Sequence, residues 1–355
     1  MHQAGVEIIS TGGTAQKIRE ADIPVTDVSE LTDFEECLDG RVKTLHPVIH
    51  AGLLARTSHQ PDIEELQRLD IDPIELVVGN LYPFQETIDD PDCTPAQATE
   101  NIDIGGPTMI RAAAKNFAHV CVLTSPMQYD SFAKELEGKG TISFKKRRSW
   151  AKEAFNHTAN YDTAIANYFN EIDGSANEMP GQLNISLPKS QGLRYGENPH
   201  QKAAVYGEQS TFIDCFHGKE LSYNNFNDVD AALHLIADFR DDRPTCAIFK
   251  HTVPCGVATD EELSTAWDKA FQTDTMSPFG GIVVVNKQLD LDTAHKIDEI
   301  FTEIIIAPSY SDEALKLLQQ KKKRRLIKMK QFVERRCEPH LQVGFWGCTQ
   351  PGCRL

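Results

Sequence analysis

Short apolar strands alternate with glycine turns and helices along most of the chain, and this alternation limits the folds open to it. In the first half, strands are predicted at residues 6–10, 74–79 and 119–124. Helical periodicity is predicted to begin at Thr14 and to return at residues 107–115, 129–137 and 142–170. Alternating strands and helices favour a mostly parallel sheet with helices on its faces.

A loss of periodicity separates this half from a second region of the same kind. Residues 173–192 carry Gly, Pro, Ser and Asn with little periodicity, so we predict a linker there. Beyond it, strands are predicted at residues 203–206, 246–249, 281–285 and 303–306, and helices at residues 228–239, 261–271 and 292–301. We therefore predict α/β domains at residues 1–172 and 193–328, followed by a tail of different character at residues 329–355.

Bulk composition argues against several classes of protein. The 355 residues carry 36 basic and 52 acidic side chains, a net charge of −16, which disfavours nucleic acid or an anionic membrane as partner. No apolar run approaches the roughly 20 residues of a membrane span, and the amino terminus does not resemble a signal peptide. Six of the nine cysteines are scattered through the first 255 residues without paired spacing, so we expect free thiols and a cytoplasmic location.

Cations are crowded on a predicted loop at residues 40–47, Gly-Arg-Val-Lys-Thr-Leu-His-Pro. Pro47 has no N–H and disfavours a helical conformation at His46, so a turn or extended loop is predicted. Arg41, Lys43 and His46 have little structural reason to crowd together there, and an anionic small molecule would supply one. A solvated surface loop is the alternative.

A second loop has the composition of a phosphate cradle. It lies between a predicted strand and a predicted helix and consists of Ser10, Thr11, Gly12, Gly13 and Thr14. Glycine lets the backbone approach a phosphate closely, and the following helix presents unpaired N–H groups at its positive end. A plain turn is the alternative.

Groups suited to proton transfer follow at other loop positions of the first half. Tyr82 comes after a predicted strand, at the edge where open α/β sheets place their ligands. Asp103 joins a loop at a helix start, and Lys115 lies farther along that helix. A carboxylate, a phenol and lysines around one phosphate site would suit a ring closure.

The second half contains two polar loops and a Lys–His pair. Residues 193–201 and 219–225 offer amide and hydroxyl groups around turns. Lys250 and His251 directly follow a predicted buried strand, and Pro254 to Gly256 are predicted to turn the chain away. If the pair is withdrawn from water, His251 is a plausible neutral base.

Eleven motifs, in this order, resemble the bifunctional family of 5-aminoimidazole-4-carboxamide ribonucleotide (AICAR) transformylase/IMP cyclohydrolase. The similarity runs from about residue 6 to about residue 326. The motifs are STGGT, GRVKTLHP, NLYPF, IDIGG, RAAAKN, HTANYD, LRYGENPHQ, GKELSYNN, KH, FGG and IIAPSYS.

The resemblance implies a methylglyoxal-synthase-like parallel-sheet domain that closes the purine ring, followed by part of a cytidine-deaminase-like α/β transformylase domain. In the first domain it assigns catalysis to Lys43, Tyr82, Asp103 and Lys115, and substrate binding to Arg41 and the Ser10–Thr14 loop. In the second domain it assigns catalysis to Lys250 and His251. Further substrate-site positions there are Arg194, Tyr195, His200 and Asn225.

The resemblance also implies ligands and an assembly. The substrates are AICAR and then formyl-AICAR, which closes to IMP, and 10-formyltetrahydrofolate is the formyl donor. We expect a homodimer with no metal, no nucleic acid and no membrane partner. His251 would take the proton of the attacking amine, and Lys250 would stabilise developing negative charge or assist departure of the folate nitrogen.

The sequence also departs from the family pattern. Family members carry a strand and an SDK-type loop before the position of Val6, and this sequence does not contain them. The resemblance therefore implies that ring closure is weak or absent in this chain. Val253 replaces an asparagine that bacterial members commonly carry. For the tail we expect a frame-shifted or intron-derived end, with a zinc site of Cys337, His340, Cys348 and Cys353 as the alternative. The competing function is a catalytically silent fragment that binds nucleotide phosphate.

Overall fold

The chain divides into two compact units, Met1–Ser186 and Leu187–Leu355. The computed structural model describes residues 1–2, 5–172 and 181–333. Both units combine strands with covering helices, which confirms the predicted α/β class.

The first unit contains two pairs of parallel strands and a majority of helical residues. The strands are β1 (Ile9–Ser10), paired with β2 (Thr26–Asp27), and β3 (Leu76–Val78), paired with β4 (Cys121–Leu123). The helices are α1 (Gly12–Glu20), α2 (Val28–Thr32), α3 (Pro47–Leu54), α4 (Gln60–Arg68), α5 (Phe84–Ile88), α6 (Pro95–Glu100), α7 (Gly105–Lys115), α8 (Tyr129–Lys139) and α9 (Phe144–Ile172).

Alanine packing holds α7 and α9 together beside the strands of the first unit. Ala113 and Ala114 of α7 and Ala154 of α9 are fully buried in one cluster. The same cluster contains Val77 of β3 and Val122 of β4. Small side chains let two helix backbones approach closely, so the position of α7 relative to the strands is tightly defined.

The second unit contains a six-stranded sheet and a separate hairpin. The hairpin strands are β5 (Lys189–Leu193) and β6 (Ala203–Tyr206). The sheet strands are β7 (Ile213–His217), β8 (Thr245–Lys250), β9 (Val253–Thr259), β10 (Gly281–Val285), β11 (Thr302–Ala307) and β12 (Arg325–Met329). The helices are α10 (Tyr223–Ala237), α11 (Leu263–Thr273), α12 (Leu291–Asp298) and α13 (Asp312–Leu318).

The strand order in this sheet is β7-β12-β11-β10-β8-β9. Strands β10, β11 and β12 are parallel, whereas β7, β8 and β9 each run antiparallel to a neighbour. A mostly parallel sheet was the expectation from the alternating elements. That expectation is wrong for the second unit. A two-residue turn pairs β8 with β9 antiparallel without a crossover helix, and β7 pairs antiparallel with β12 at the opposite edge of the sheet.

Both faces of the second sheet are buried. Along β11, Ile305 packs into one hydrophobic cluster with helices α11, α12 and α13, whereas Ile304 and Ile306 pack into the other with α10. Strands that are covered on both faces are expected to be apolar at successive positions rather than at alternate ones. Strand β10 and most of β11 have such continuous apolar sequences.

Two sequence predictions at the edges of this unit need correction. The predicted linker, residues 173–192, overlaps β5, which starts at Lys189; residues 173–180 lie outside the described part. The tail was predicted to begin at residue 329, but Met329 ends β12, and Phe332 and Val333 pack against the core. Its remaining residues, 334–355, lie outside the described part.

The basic run at residues 321–325 is not wholly exposed, although its five residues are all lysine or arginine. Arg324 and Arg325 are only 2% and 8% exposed. Arg324 pairs with Asp298 at 2.6 Å, and Arg325 pairs with Glu303 at 2.8 Å. Carboxylate partners and backbone carbonyls compensate most of the desolvation of both guanidinium groups, although Arg324 Nη2 is buried without a hydrogen-bond partner. The composition of the run alone does not reveal these partners.

Gly256 provides a stability test of the second unit. A Cβ at this position in β9 would overlap the carbonyl oxygen of Ala270 in α11. We predict that Gly256→Ala lowers the free energy of unfolding by about 3 kcal/mol, because backbone atoms cannot move aside cheaply. Urea unfolding measures this change.

Gly192→Ala is the matched control in the same unit. There a Cβ would meet only the flexible end of Lys189, at 3.4 Å. We expect a change within about 0.5 kcal/mol. Equal effects of the two substitutions would contradict the close packing of β9 on α11.

Candidate functional site

The amino terminus of α1 is an open anion-binding position. Thr11 is the N-cap residue, but its side chain makes no capping hydrogen bond. Gly12 follows with φ +55°, a left-handed conformation that favours glycine. The first N–H groups of α1 are therefore not capped by a side chain, and they carry the positive end of the helix dipole.

A tight turn delivers Lys43 to this helix terminus. Leu38, Asp39 and Gly40 all have positive φ angles, and Cys37 and Val42 close the turn through backbone hydrogen bonds of 3.3 and 3.4 Å. The structure thus confirms a loop here, and its backbone forms a tight turn rather than an extended segment.

Two glycines make room for the Lys43 side chain. A Cβ on Gly12 would lie 3.5 Å from Lys43 Nζ, and one on Gly40 would lie 2.8 Å from it. The ammonium group is therefore adjacent to the start of α1. Its carboxylate partner is Glu36, with Nζ 3.1 Å from Oε2.

The other two cations of this loop have different partners. Arg41 forms an ion pair with Glu100 at the end of α6; the shared hydrogen bond raises the pKa of Arg41 and lowers that of Glu100. His46 is the N-cap of α3, and its Nδ1 accepts a hydrogen bond from the Val48 N–H at 3.3 Å. That the three cations surround one anion stays a prediction, and of the three it is Lys43 whose described contacts reach the start of α1.

The amino terminus of α7 contacts the same loop. A Cβ on Gly105 would lie 2.7 Å from Thr44 Oγ1. A Cβ on Gly106 would lie 2.5 Å from Asp103 Oδ2 and 2.8 Å from Leu81 Cδ2. The Gly-Gly pair thus lets three segments converge: the Lys43 loop, the loop after β3 and the loop before α7.

Asp103 is held in place from two directions. Its Oδ1 accepts a hydrogen bond from the Gly106 N–H at 2.8 Å, and its own N–H donates to Tyr161 Oη at 2.8 Å. Burial raises the pKa of Tyr161, and its hydroxyl also donates to the Asn101 carbonyl at 3.1 Å. Sequence reasoning missed Tyr161, although the HTANYD motif contains it.

Tyr82 and Lys115 are placed differently from each other. Tyr82 is 56% exposed beside Leu81, at the convergence described above. Lys115 ends α7, ten residues after Gly105, a rise of about 15 Å along the helix axis. The structure therefore brings Lys43, Asp103 and the Tyr82 loop together within one chain and leaves Lys115 outside this group.

In the second unit, Lys250 ends β8 and His251 enters a two-residue hairpin turn to β9. His251 and Thr252 have φ angles of +52° and +65°. Two successive left-handed residues are the geometry of a type I′ turn, which normally uses Asn and Gly. The chain was predicted to turn at Pro254 to Gly256, but those residues lie within β9.

A carboxylate from α10 secures this turn. Asp228 Oδ1 accepts a hydrogen bond from the Thr252 N–H at 2.7 Å. The Thr252 Oγ1 donates to the His251 carbonyl at 2.6 Å. His251 itself is exposed, so the withdrawal from water under which it was predicted to act as a neutral base is not found in this chain. Asp228 is a second residue that sequence reasoning missed, and no motif signal marked it.

The Lys250 side chain is tied to the glycine turn before β10. Its Nζ donates to the Phe279 carbonyl at 2.6 Å, and a Cβ on Gly280 would lie 3.3 Å from it. Phe279 is 67% exposed and pairs with Phe301, with 5.4 Å between ring centroids. Lys250 thus lies beside an exposed aromatic surface at the end of β8.

The remaining predicted substrate residues occupy other positions. Arg194, Tyr195 and His200 lie in the loop of the β5–β6 hairpin, where the Arg194 guanidinium is 5.9 Å from the Tyr195 ring centroid. Asn225 is 7% exposed and forms a capping box with Ser222 at the start of α10. Its side chain is committed to helix capping, a role that sequence reasoning did not predict.

Within residues 1–2, 5–172 and 181–333, no group of three or more His, Cys, Asp or Glu side chains is placed to hold a metal ion. In the same residues, no helix is long and apolar enough to span a bilayer. The alternative zinc ligands Cys337, His340, Cys348 and Cys353 lie outside the described part.

The fold and these clusters define an α/β protein with an anion-binding candidate site in its first unit. Residues 1–108 match the family model of the MGS-like domain. Residues 113–344 match the model described as AICARFT/IMPCHase bienzyme. Since the second match covers more than half of the chain, this protein belongs to the AICARFT/IMPCHase bienzyme family.

Curated relatives share nearly half of the residues. A protein of Halalkalibacterium halodurans named bifunctional purine biosynthesis protein PurH is 48% identical over 342 residues, which cover 95% of this chain and 66% of the relative. The protein of that name from Acetivibrio thermocellus is 47% identical over 335 residues, covering 93% of this chain and 65% of the relative. The chain therefore spans just under two thirds of the length of these relatives.

A solved structure also matches part of the chain. The crystal structure of ForH is 35% identical, with a TM-score of 0.44, and the match covers 47% of this chain and 86% of that one.

The strained turn after Lys250 gives a test that does not depend on activity. Asparagine adopts positive φ angles at lower cost than the β-branched threonine. We predict that Thr252→Asn raises the free energy of unfolding by about 0.5–1 kcal/mol, as measured by urea titration. A loss of stability would mean that the Thr252 side chain contributes more to the turn than its conformational strain costs.

Proposed function

We propose that this chain catalyses the last two steps of IMP synthesis. In the first, a formyl group passes from 10-formyltetrahydrofolate to the 5-amine of AICAR. In the second, formyl-AICAR loses water and closes to IMP. The first unit would carry ring closure, and the second unit would carry formyl transfer.

Family membership and the convergence at α1 and α7 together support this proposal. The matched family is described as a bienzyme, and the relatives are named as bifunctional proteins of purine biosynthesis. The observation that carries the proposal is that Lys43 lies beside the uncapped start of α1, while the next residue, Thr44, contacts Gly105 at the start of α7. These matches favour the bifunctional enzyme over a silent phosphate-binding fragment.

The substrate phosphate would bind at the amino terminus of α1. The Ser10–Thr14 segment offers backbone N–H groups at the positive end of the helix, and Lys43 supplies a full charge beside Gly12. Because Lys43 already faces Glu36, an arriving phosphate would share or replace this partner. Arg41 would contact the phosphate only after leaving Glu100, because the ion pair largely cancels the charge of its guanidinium at a distance.

Ring closure needs the carboxamide nitrogen to attack the formyl carbon, after which the former formyl oxygen departs as water. Lys43 would stabilise the charge that develops on that oxygen. Asp103 and the Tyr82 hydroxyl would move protons between the attacking nitrogen and the departing oxygen. Lys115 has no step in this proposal, because α7 carries it about 15 Å from Gly105.

Formyl transfer needs a base, since the AICAR amine is a weak nucleophile. The amine nitrogen forms a bond to the formyl carbon, and the bond from that carbon to N10 of the folate breaks. His251 would take the amine proton and return a proton to N10, so that no charge is left over. Lys250, held beside Phe279, would stabilise the negative charge of the tetrahedral intermediate.

Further features of the proposal follow from the family. We include a homodimer, a cytoplasmic location and the use of 10-formyltetrahydrofolate as co-substrate. We include no metal, no nucleic acid and no membrane partner. Arg194, Tyr195 and His200 are proposed to bind substrate from the β5–β6 loop.

Assaying the purified chain for both reactions tests the function directly. We expect formation of formyl-AICAR from AICAR and 10-formyltetrahydrofolate, and formation of IMP from supplied formyl-AICAR. IMP binding in the absence of both turnovers would instead favour the silent phosphate-binding fragment.

Lys43→Ala tests the ring-closure site. We predict a loss of IMP formation of at least about 100-fold with little change in the thermal unfolding transition, because a partly exposed ion pair contributes little to stability. Lys17→Ala, which removes an exposed lysine at the far end of α1, is the control and should retain activity. Unchanged turnover in Lys43→Ala would remove this residue from the mechanism.

Asp228 tests whether the hairpin turn positions His251. We predict that His251→Ala lowers kcat for formyl transfer by about 100-fold or more. Asp228→Ala should lower kcat by at least about tenfold with little change in KM, because the base is no longer held in place. Asp228→Asn should restore most of the rate, since its amide oxygen can still accept the Thr252 hydrogen bond.

The control for this series is Asp230→Ala, on the same helix and exposed. Hydrogen exchange of the Thr252 amide gives a readout that is independent of turnover. Faster exchange in Asp228→Ala with unchanged kcat would leave Asp228 a structural role only.

A further inference from the structure

Two pairs of basic residues line a cavity of about 660 Å³ in the first unit. Arg111 and Lys115 lie one turn apart on α7, and Arg148 and Lys152 lie one turn apart on α9. Because α7 and α9 pack against each other through their alanines, the two pairs flank one depression. We call it the basic cavity.

The floor of the basic cavity is apolar. Leu54 at the end of α3, Phe117 after α7 and Phe155 of α9 line it together with alanines. The Arg111 guanidinium lies over the Phe155 ring, 5.6 Å from its centroid. This cation–π contact holds one cation at the rim of the cavity and leaves an apolar surface below it.

The charge of this cavity is unusual for such an acidic chain. The protein carries a net charge of −16, but no carboxylate is among the described residues that line the cavity. Like charges at i and i+4 on a helix repel each other and destabilise it, and here two such pairs line the same cavity. An anion between the two pairs would remove this repulsion.

We propose that the basic cavity binds a nucleoside di- or triphosphate. Four cations in two rows match a ligand with several phosphate charges, and the apolar floor matches the flat face of a base. The volume lies within the range of small-molecule sites. This site is separate from the α1 terminus, since Lys115 and Gly105 are at opposite ends of α7. The inference does not depend on the proposed enzymatic function.

Calorimetric titration of the full chain with ATP in the absence of divalent cations tests the proposal. We expect saturable binding that weakens as salt is raised, because the contacts are ionic. Inorganic pyrophosphate should bind more weakly than ATP, since it lacks the base. Adenosine should bind at least about tenfold more weakly than ATP, since it lacks the phosphates.

The decisive variant is Arg148→Ala combined with Lys152→Ala. Neither residue belongs to the proposed catalytic groups, and we expect an ATP affinity at least about tenfold lower. The matched control removes two exposed lysines outside the cavity, Lys134→Ala combined with Lys145→Ala, and should bind ATP within about twofold of the unsubstituted chain.

Any of four results would overturn the proposal. The first is the absence of saturable ATP binding, and the second is equal weakening in the double variant and its control. The third is loss of ATP binding in Lys43→Ala with retention in the Arg148/Lys152 variant. This third result would locate the nucleotide at the α1 terminus. The fourth is a change of molar mass in the Arg148/Lys152 variant with unchanged ATP affinity, which would instead assign the cavity to contact between copies of the chain.

Discussion

Burial of both faces of the sheet is the constraint on which the second unit depends. Successive residues of β8, β10 and β11 pack alternately into two hydrophobic clusters, one on each face of the sheet. Because the same strands contribute to both clusters, each cluster depends on the other. Polar side chains in the middle of such strands would lose their water without gaining partners. Polar side chains that could take part in catalysis are therefore found at the ends of these strands, where Lys250 and His251 lie. The apolar strand β8 determines the position of this candidate catalytic pair.

The first unit positions its polar groups by a different means. There, glycines remove side chains where three loops must meet, so that the Lys43 ammonium approaches Gly12 and Asp103 approaches Gly106. Helix termini supply the remaining polarity through backbone N–H groups. In the first unit the polar groups of the site are therefore positioned by closely approaching backbones and by the termini of α1 and α7. In the second unit a large hydrophobic sheet does this.

The sequence predicted the architecture better than the details of the site. Continuous apolar strands and glycine turns were sufficient to place residues 203–206 and 281–285 as strands with the observed bounds. Local pattern could not show that the arginines at 324 and 325 are buried, since their partners lie far away along the chain. Local pattern also could not show that Lys115 lies far from Asp103. Both were predicted to surround one site, and their separation along α7 becomes meaningful only when the positions of the neighbouring loops are known.

The two-residue connection between β8 and β9 limits which changes of length this region can accept. Side chains on a strand alternate between faces, so one residue inserted beside Thr252 would transfer Val257 and Ala258 to each other's cluster if the hairpin kept its pairing. A surface loop ordinarily absorbs an insertion without such a penalty. Homologous chains should therefore vary in residue type at this turn far more readily than in the number of residues it contains.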